Sequence, residues 1–387
     1  MRFYNLFLLF IFLNFSCTTN SVNDDFSNEI SLNEAKTNGL HIVIEEAGFK
    51  KIVDLRNKYV HKKIFNEKLY SKALLISGND TVSATLRLKG DHTDHLQGNR
   101  WSYRIKTDGK VLKESKFSIQ GLKTRSYFSE RLFHEFLKNE GLVHLQYEFI
   151  PVTINEIDSF AGVYAYESHF KSDILVNQNL KLGPILKFNE DEFWDYKNKA
   201  EKGQDRDSLL RTISKIELTN RKGFDKETGE KSIKMLQDFI QNKVPAEKVF
   251  DMLKWARFLT VNAFMGCNHA MRWHNLRFYL NPETNLLEPV GFDLSTWFLK
   301  NGAWHLNKDS VESFYKPFYE SSVFLNELLE TTKRISEKSY LDDFFENRKY
   351  VFNDCIDLIR KEKTNYKLNK KVLYRIQEIF KNDLKSF

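Results

Sequence analysis

The period of the hydrophobic positions divides the chain into two parts. From His41 to about residue 200, apolar residues form short runs that alternate with polar residues and end at turns, which predicts strands. The clearest runs are IVIEEAG, SKALLISG, TVSATLRLKG, RWSYRIKTDG, YEFIPVTIN, FAGVYAYESHF and LGPILKF. Beyond residue 200 the spacing is helical, as in SIKMLQDFIQNKV and AEKVFDMLKWARFLTVNAFMG. The pattern predicts an α+β protein with a strand-rich N-terminal lobe over 39–200 and a helical C-terminal lobe over 201–387.

Two of the predicted strands carry cations at every second position. Arg87 and Lys89 alternate with leucines in TLRLKG, and Arg104 and Lys106 alternate with apolar residues in SYRIK. Side chains at alternate positions share one face of a strand, so neighbouring strands would bring these four charges together. The face is either an ordinary solvated surface or a surface that binds phosphate groups.

The composition indicates a folded protein and limits its partners. Hydrophobic residues make up 41% of the 387 residues, and the 33 Phe and 16 Tyr predict a core rich in aromatic rings. The formal net charge is +7, from 59 basic and 52 acidic residues. This excess is too small on so long a chain to indicate nucleic-acid binding.

The first residues indicate export. Residues 1–16 contain an early Arg2 and an apolar run that is too short to span a bilayer, as in a signal segment. Ser16 followed by Cys17 resembles the processing site of a bacterial lipoprotein, which predicts lipidation of Cys17 and anchoring to the cell envelope. The polar residues 17–38 would form a flexible tether. Secretion with a free Cys17, and an ordinary buried N-terminal helix, are the alternatives.

The segment NHAMRWHNLRFYLNPETNLLEPVGFD, residues 268–293, predicts a hairpin with chemistry at its ends. Two strands flank the turn NPETN, and a hairpin centred near residue 284 would place Asn275 opposite Asp293. An amide oxygen and a carboxylate on one face suit a hard cation such as Mg²⁺. The alternative is that Asn275 caps a turn and Asp293 accepts backbone hydrogen bonds.

Several of these elements, in one order, resemble the spore-coat protein H (CotH) family of atypical kinases. The resemblance covers about residues 82–298 and consists of LRLKG, RWSYRIKTDG, a helix ending NEGL, VTINEIDSFAGVYAYES, LGPILKF and HNLRFYLNPETNLLEPVGFD. It implies a kinase-like fold of two lobes that bind ATP between them. Such a protein would transfer a phosphoryl group to a hydroxyl of another protein.

The resemblance also assigns roles to residues of this chain. Lys89 or Lys106 would contact nucleotide phosphates, and Glu167 would lie in the nucleotide cleft. Lys187, in the predicted strand LGPILKF, is a further cofactor-binding candidate. Asn275 and Asp293 would hold Mg²⁺, with Mn²⁺ as a possible replacement.

The chain departs from the family pattern near the metal residues. Residues 252–292 contain no Asp, although the family has one shortly before the Asn, and Ser295 replaces a second Asp. His269 is the best substitute for the catalytic base, since a His can accept a proton near neutral pH. With fewer carboxylates, the affinity for Mg²⁺ and ATP should be lower.

Three hypotheses follow from the sequence. The first is a lipid-anchored, CotH-like phosphotransferase that acts on a surface or secreted protein, with His269 and Asp293 as catalytic residues. The second is a catalytically inactive pseudokinase lipoprotein that serves as a binding module. The third is a hydrolase whose metal is held by Cys267, His269, His274 and Asp293, in an unfamiliar spacing.

Overall fold

The computed structural model describes residues 39–62, 65, 67–90, 92–112, 114–189, 215–266, 269–294 and 302–385. The predicted signal segment, the tether and the candidate lipidation site Cys17 lie outside the described residues, as do Cys267 and Ser295. Within the described ranges, no helix has both the length and the apolar composition needed to cross a membrane.

Twelve strands form two sheets. They are β1 Leu40–Ile44, β2 Ser71–Ser77, β3 Asp80–Leu88, β4 Tyr103–Val111, β5 Glu114–Gly121, β6 Val143–His144, β7 Tyr147–Ile154, β8 Gly162–Ser168, β9 Ile185–Phe188, β10 Ile216–Leu218, β11 Arg277–Asn281 and β12 Leu286–Gly291. Seven strands of the N-terminal part close into a barrel in the order β1, β2, β3, β4, β5, β8, β7. Its strands are antiparallel except where β1 meets β7 in parallel and closes the barrel.

The alternation of apolar and polar residues separates the inside of the barrel from its outside. Leu86 and Leu88 of β3 and Tyr103 and Ile105 of β4 are at most 1% exposed and belong to the barrel's core. The intervening cations therefore point outward, because successive side chains of a strand alternate between its faces. The strands β3 and β4 are neighbours, as the cation pattern requires.

The second sheet has the order β10, β9, β11, β12, β6 and belongs to the C-terminal part of the fold. Its strands β9 and β10 pair with each other, although they lie on opposite sides of the predicted lobe boundary near residue 200. The boundary itself falls in the segment 190–214, outside the described residues. The last barrel strand ends at Ser168, so strands of the second sheet begin to appear in the sequence before residue 200.

Nine helices accompany the sheets within the described residues. They are α1 Glu46–Tyr59, α2 Ser129–Asn139, α3 Ser172–Val176, α4 Lys226–Ile240, α5 Met252–Phe264, α6 Ser322–Ser336, α7 Lys338–Glu346, α8 Lys349–Glu362 and α9 Lys371–Leu384. Six of them follow residue 215, so the C-terminal part is helical, as predicted. The mixed α/β architecture with a strand-rich N-terminal region is confirmed, but the closed barrel was not foreseen.

The C-terminal core is built around the fully buried Trp255 of α5. Asp251 caps this helix by accepting a hydrogen bond from the Lys254 backbone N–H at 3.0 Å. The Trp255 indole donates a hydrogen bond to the Leu287 carbonyl of β12 at 2.9 Å. Its ring also packs against Phe250, Phe258, Phe278, Phe314, Tyr315 and Phe318. The helix is therefore fixed to the hairpin β11–β12, whose ends carry the candidate metal residues.

The predicted hairpin is present, but its register differs by one residue from the expected one. Phe278 pairs with Pro289, so an extension of the ladder would place Asn275 opposite Phe292 rather than Asp293. A shift of one residue turns every side chain to the other face of a strand. Asn275 and Asp293 both lie outside the paired region. Asn275 ends a 3₁₀ turn, and Asp293 adopts a left-handed backbone conformation with φ 58°. Segments outside the strand ladder, rather than strand pairing, therefore position these two residues.

Candidate functional site

A buried ion pair lies on the outer face of the barrel. Lys89 follows β3, and its Nζ is 2.5 Å from Oε1 of Glu167 in β8; each side chain is 10% exposed. Gln120 of β5 accepts a hydrogen bond from Lys89 at 3.2 Å and donates one to Glu167 at 3.1 Å. Because the three side chains come from three barrel strands or their ends, their geometry is fixed by the sheet.

Positive charge dominates the surroundings of this pair. Burial acts to raise the pKa of Glu167, but the charges of Lys89, Arg125 and Arg104 outweigh it and hold the pKa below its usual value. Burial lowers the pKa of Lys89; Glu167 opposes this shift, while Arg104 and Arg125 add to it. The carboxylate stays ionised, and the positive charge around it favours anionic ligands.

A second ion pair involves Asp293, which follows β12. Arg125 Nη2 lies 2.8 Å from Asp293 Oδ1, and His269 Nε2 lies 3.2 Å from Asp293 Oδ2. Burial acts to raise the pKa of Asp293, but Arg125, His269 and Lys89 together hold it well below the usual range. Although burial acts to lower the pKa of Arg125, Asp293 and nearby carboxylates raise it. Both Arg125 and Asp293 are therefore ionised, and this pair lies within electrostatic range of the Lys89–Glu167 pair.

A buried carboxylate fixes the backbone around Asp293. Glu130 of α2 is 1% exposed and accepts hydrogen bonds from the Leu294 N–H through both oxygens, at 2.9 and 3.2 Å. Asp293 itself adopts a left-handed conformation, which Asp tolerates better than most residues. The position of the Asp293 carboxylate thus depends on a helix that lies far from it in the sequence.

His269 connects Asp293 with Asn275. The Asn275 side-chain amide donates a hydrogen bond to the His269 carbonyl at 3.0 Å, and Asn275 is 6% exposed. The His269 imidazole contacts Asp293. The ring centroids of His269 and His274 are 6.1 Å apart, and the two rings meet edge to face. The structure therefore brings together three of the predicted residues, and it does so through the turn 269–275 that precedes β11.

Cations outside the Lys89 pair form a strip on β3, β4 and β5. Arg87 lies directly opposite Arg104, and Lys106 lies directly opposite Lys116. Like charges in such cross-strand positions repel. Burial and the charges of Arg104, Lys171 and Arg87 lower the pKa of Lys116 to about 8. An anion bound to this strip would relieve the repulsion.

The predicted nucleotide-contact residues lie in different places. Lys89 and Glu167 form the buried pair, and Lys106 is exposed on the strip. Lys187 lies in β9 of the second sheet, where its Nζ is 3.5 Å from Glu217 Oε2. Its ion pair is thus on a different sheet from the Lys89 pair.

Three residues of the site were missed by the sequence analysis. Gln120 shares the alternation of β5 with Lys116, so the strand pattern could have placed it on the outer face. Arg125 lies at the end of the 3₁₀ turn Leu122–Arg125, and Glu130 lies in the first turn of an ordinary amphipathic helix. No local pattern marks these last two, because their partners lie more than one hundred residues away.

The donor set does not fit the magnesium ion that the resemblance implies. Both oxygens of Asp293 already lie within 3.2 Å of a side-chain nitrogen, and Asn275 adds a single amide oxygen. Over the ranges that the structure describes, no group of three or more His, Cys, Asp or Glu is placed to hold a metal ion. Cys267, required for the hydrolase alternative, lies outside those ranges.

Comparisons with known proteins add little. No protein-family model matches the chain, and no curated protein matches it. Among solved structures, the chain is similar to HipA of Shewanella oneidensis MR-1, in a complex of the HipA, HipB toxin–antitoxin system with its operator DNA. The sequence identity is 10%, the TM-score is 0.32, and the match covers 89% of this chain and 72% of that chain. A likeness this weak carries no inference about function.

Proposed function

We propose that a cleft around the Lys89–Glu167 and Arg125–Asp293 ion pairs, outside the barrel, binds ATP and transfers its γ-phosphoryl group to a hydroxyl of a protein, as the resemblance to the CotH kinases implies. The observation that carries this proposal is the buried Lys89–Glu167 pair, which lies within electrostatic range of Asp293. Protein kinases use a Lys–Glu pair of the strand-rich lobe together with an Asn and an Asp of the other lobe. Here Asn275 and Asp293 are joined through His269.

The positive charge of the cleft supplies the phosphate contacts. Lys89 contacts the Glu167 carboxylate, the charges of Arg125 and Arg104 also act on it, and Lys106 extends the positive surface along β4. Charge on the transferring phosphoryl group is stabilised by groups that are already oriented before the reaction. Strands of a closed barrel provide such fixed positions.

His269 is the proposed general base. With hydrogen on Nε2, the imidazole donates to Asp293 Oδ2, and Nδ1 is the basic nitrogen. Nδ1 would take the proton of the acceptor hydroxyl while its oxygen forms a bond to the γ-phosphorus. The bond from that phosphorus to the bridging oxygen breaks, and ADP leaves with the electron pair. Asp293 orients the ring through this contact.

We place the protein at the cell envelope, anchored by lipid on Cys17, with a surface or secreted protein as the acceptor. The support is the apolar run of residues 1–16 and the polar tether of residues 17–38. The expected Mg²⁺ or Mn²⁺ has no suitable donor set around Asp293, so no step of the reaction is assigned to it.

A binding module without transferase activity is the second candidate. The ion pair between Arg125 and Asp293 favours it, since the carboxylate that kinases reserve for metal is already neutralised by the protein. Such a protein would bind nucleotide, or another anion, and would present a surface to a partner.

Label transfer separates the two candidates. Residues 18–387 would be incubated with γ-labelled ATP and a generic protein acceptor, with Mg²⁺, with Mn²⁺ and with a chelator. General-base catalysis contributes about 10²–10⁴ in rate, so His269→Ala should lower transfer by that factor. Asp293→Ala should abolish it, and Lys187→Ala, on the other sheet, should leave it unchanged.

Equal transfer by the Asp293→Ala variant would overturn the assignment of the site. Nucleotide binding without any transfer would leave the binding module. If the protein shows no nucleotide binding and no transfer, both candidates are excluded.

A further inference from the structure

We propose that Arg125 provides, beside Asp293, the positive charge that a divalent metal ion provides in the kinases this chain resembles. Nucleotide phosphates would then bind in the cleft without metal. The inference rests on the proposed function, because it takes the ligand to be a nucleoside triphosphate.

The position of Arg125 suits this role. Its side chain is 14% exposed, and its guanidinium lies 2.8 Å from Asp293 Oδ1. Its charge also acts on Glu167 and Lys89 of the other ion pair. Arg125 therefore lies within electrostatic range of both pairs, so its charge would act on phosphates bound beside either pair.

Arg125 also has a donor left for a ligand. Its Nε is buried and has no hydrogen-bond partner among the described residues. A buried N–H without a partner costs about 1–3 kcal/mol. The guanidinium is a planar fork that can bond a carboxylate on one side and a phosphate oxygen on another. A phosphate would satisfy the donor that the protein leaves without a partner.

The backbone holds Arg125 in place before any ligand binds. It ends the 3₁₀ turn Leu122–Arg125, whose first residue is buried, and Ser126 and Tyr127 follow in left-handed conformations. Its Nη1 donates to the Thr124 carbonyl at 3.3 Å. A side chain on such a constrained turn loses little further freedom when a ligand binds.

The acidic residues that are missing from this chain fit the same interpretation. A divalent ion needs several oxygen ligands, and the chain lacks Asp throughout 252–292 and has Ser295 where the family has Asp. An ion beside Asp293 would also be repelled by Arg125. The loss of carboxylates and the presence of an arginine both shift the site from metal binding toward direct binding of an anion.

The test measures binding of the non-hydrolysable β,γ-imido analogue of ATP by titration calorimetry, in EDTA and in Mg²⁺. The wild-type chain should bind in EDTA, and Mg²⁺ should change the affinity by less than about threefold. If affinity falls by more than about tenfold when Mg²⁺ is removed, the inference is overturned and the proposed function stands. No binding in either buffer overturns both.

Substitution of Arg125 gives the second measurement. Arg125→Ala removes a charged hydrogen-bond donor and frees Asp293, so affinity in EDTA should fall by about tenfold or more, and Mg²⁺ should restore part of it. Unchanged affinity in EDTA would contradict the proposal. Arg257→Ala is the matched control, since it breaks an ion pair with Glu327 on α6 and should leave nucleotide affinity unchanged.

Arg125→Lys keeps the charge and serves if the Ala variant does not fold. It should keep binding in EDTA but weaken it severalfold, because an ammonium cannot form the two-sided contact of a guanidinium. If the Lys variant and the wild type bind the nucleotide with equal affinity, the planar guanidinium does not contribute to binding beyond its charge.

Discussion

The two ion pairs of the site are built on different kinds of structure. Lys89 and Glu167 belong to barrel strands, and Gln120 contacts both partners. Arg125 ends the 3₁₀ turn after β5, and Asp293 lies in an irregular segment after β12. The first pair thus joins strands of one barrel, whereas the second joins the turn after β5 to the end of the hairpin of the second sheet.

This difference separates stability from function. A buried pair inside one sheet is part of that sheet's own folding, and its loss leaves an uncompensated charge in a rigid place. The Arg125–Asp293 pair instead couples two parts of the fold, so its loss should disturb the site more than the stability of either sheet. We therefore expect changes at Glu167 to lower both the free energy of unfolding and nucleotide binding, and changes around Asp293 to act mainly on binding.

The largest expected effect is that of Glu167→Ala. Removal of one partner leaves the Lys89 ammonium buried, which costs about 3–5 kcal/mol in the free energy of unfolding. Urea denaturation followed by circular dichroism measures it. The double variant Lys89→Met, Glu167→Leu should recover much of the loss, because it removes both charges. A double variant less stable than Glu167→Ala would contradict this account.

The next effect concerns Gly90, which directly follows Lys89. Its φ is 107°, and a Cβ there would lie 2.3 Å from the His95 ring. Gly90→Ala should cost about 1–3 kcal/mol from overpacking, in addition to the backbone strain. Gly98→Ala has positive φ but open space around the Cβ, so it measures the strain alone. Equal denaturation midpoints for the two variants would show that the His95 contact does not matter.

A smaller effect on stability, with a clear effect on binding, is expected from Glu130→Gln. The variant replaces a charged acceptor of the Leu294 N–H by a neutral amide, which costs about 1 kcal/mol in stability. Asp293 should lose its fixed position, so nucleotide affinity should fall severalfold. Glu327→Gln, which weakens the Arg257 ion pair, is the control for an equal loss of stability. Unchanged nucleotide affinity in Glu130→Gln would show that the Asp293 backbone keeps its position without the Glu130 carboxylate.

The smallest effects separate two predicted nucleotide contacts. Lys187→Ala breaks a partly exposed pair with Glu217, worth about 0–1 kcal/mol, and should not change nucleotide affinity. Lys106→Ala should weaken nucleotide binding severalfold at low salt and less at high salt, because its charge is exposed. Calorimetry at two salt concentrations measures both. A larger loss of nucleotide affinity in Lys187→Ala than in Lys106→Ala would indicate that the nucleotide binds at the second sheet.

The sequence predicted those parts of the site that depend on strand period. Alternation placed Arg87, Arg104 and Lys106 on one face, with Lys89 just beyond the end of β3, and the order of strands and helices indicated the mixed architecture. The hairpin around NPETN was also predicted, with an error of one residue in register. That error arises because register depends on the geometry of the turn, which composition does not specify.

The rest of the site required the tertiary structure. Arg125 and Asp293 meet only because the turn after β5 and the end of β12 converge, and no local pattern marks that meeting. Closure of the barrel likewise depends on parallel contact between β1 and β7. The kinase-like function and the lipid anchor stay proposals, since the first rests on the resemblance and the second on residues outside the described ranges.

The closure of the barrel also has a consequence for how the protein folds. The side chains of His41 in β1 and Thr153 in β7 form a hydrogen bond, and the two residues are 112 positions apart in the chain. Contacts of such long sequence separation form slowly, because the loop between them must be ordered first. The Lys89–Glu167 pair needs β8, and the Arg125–Asp293 pair must wait for the hairpin that follows α5. Both ion pairs of the site also join residues that are far apart in the sequence, so we expect the site to form late in folding, after these long-range contacts are made.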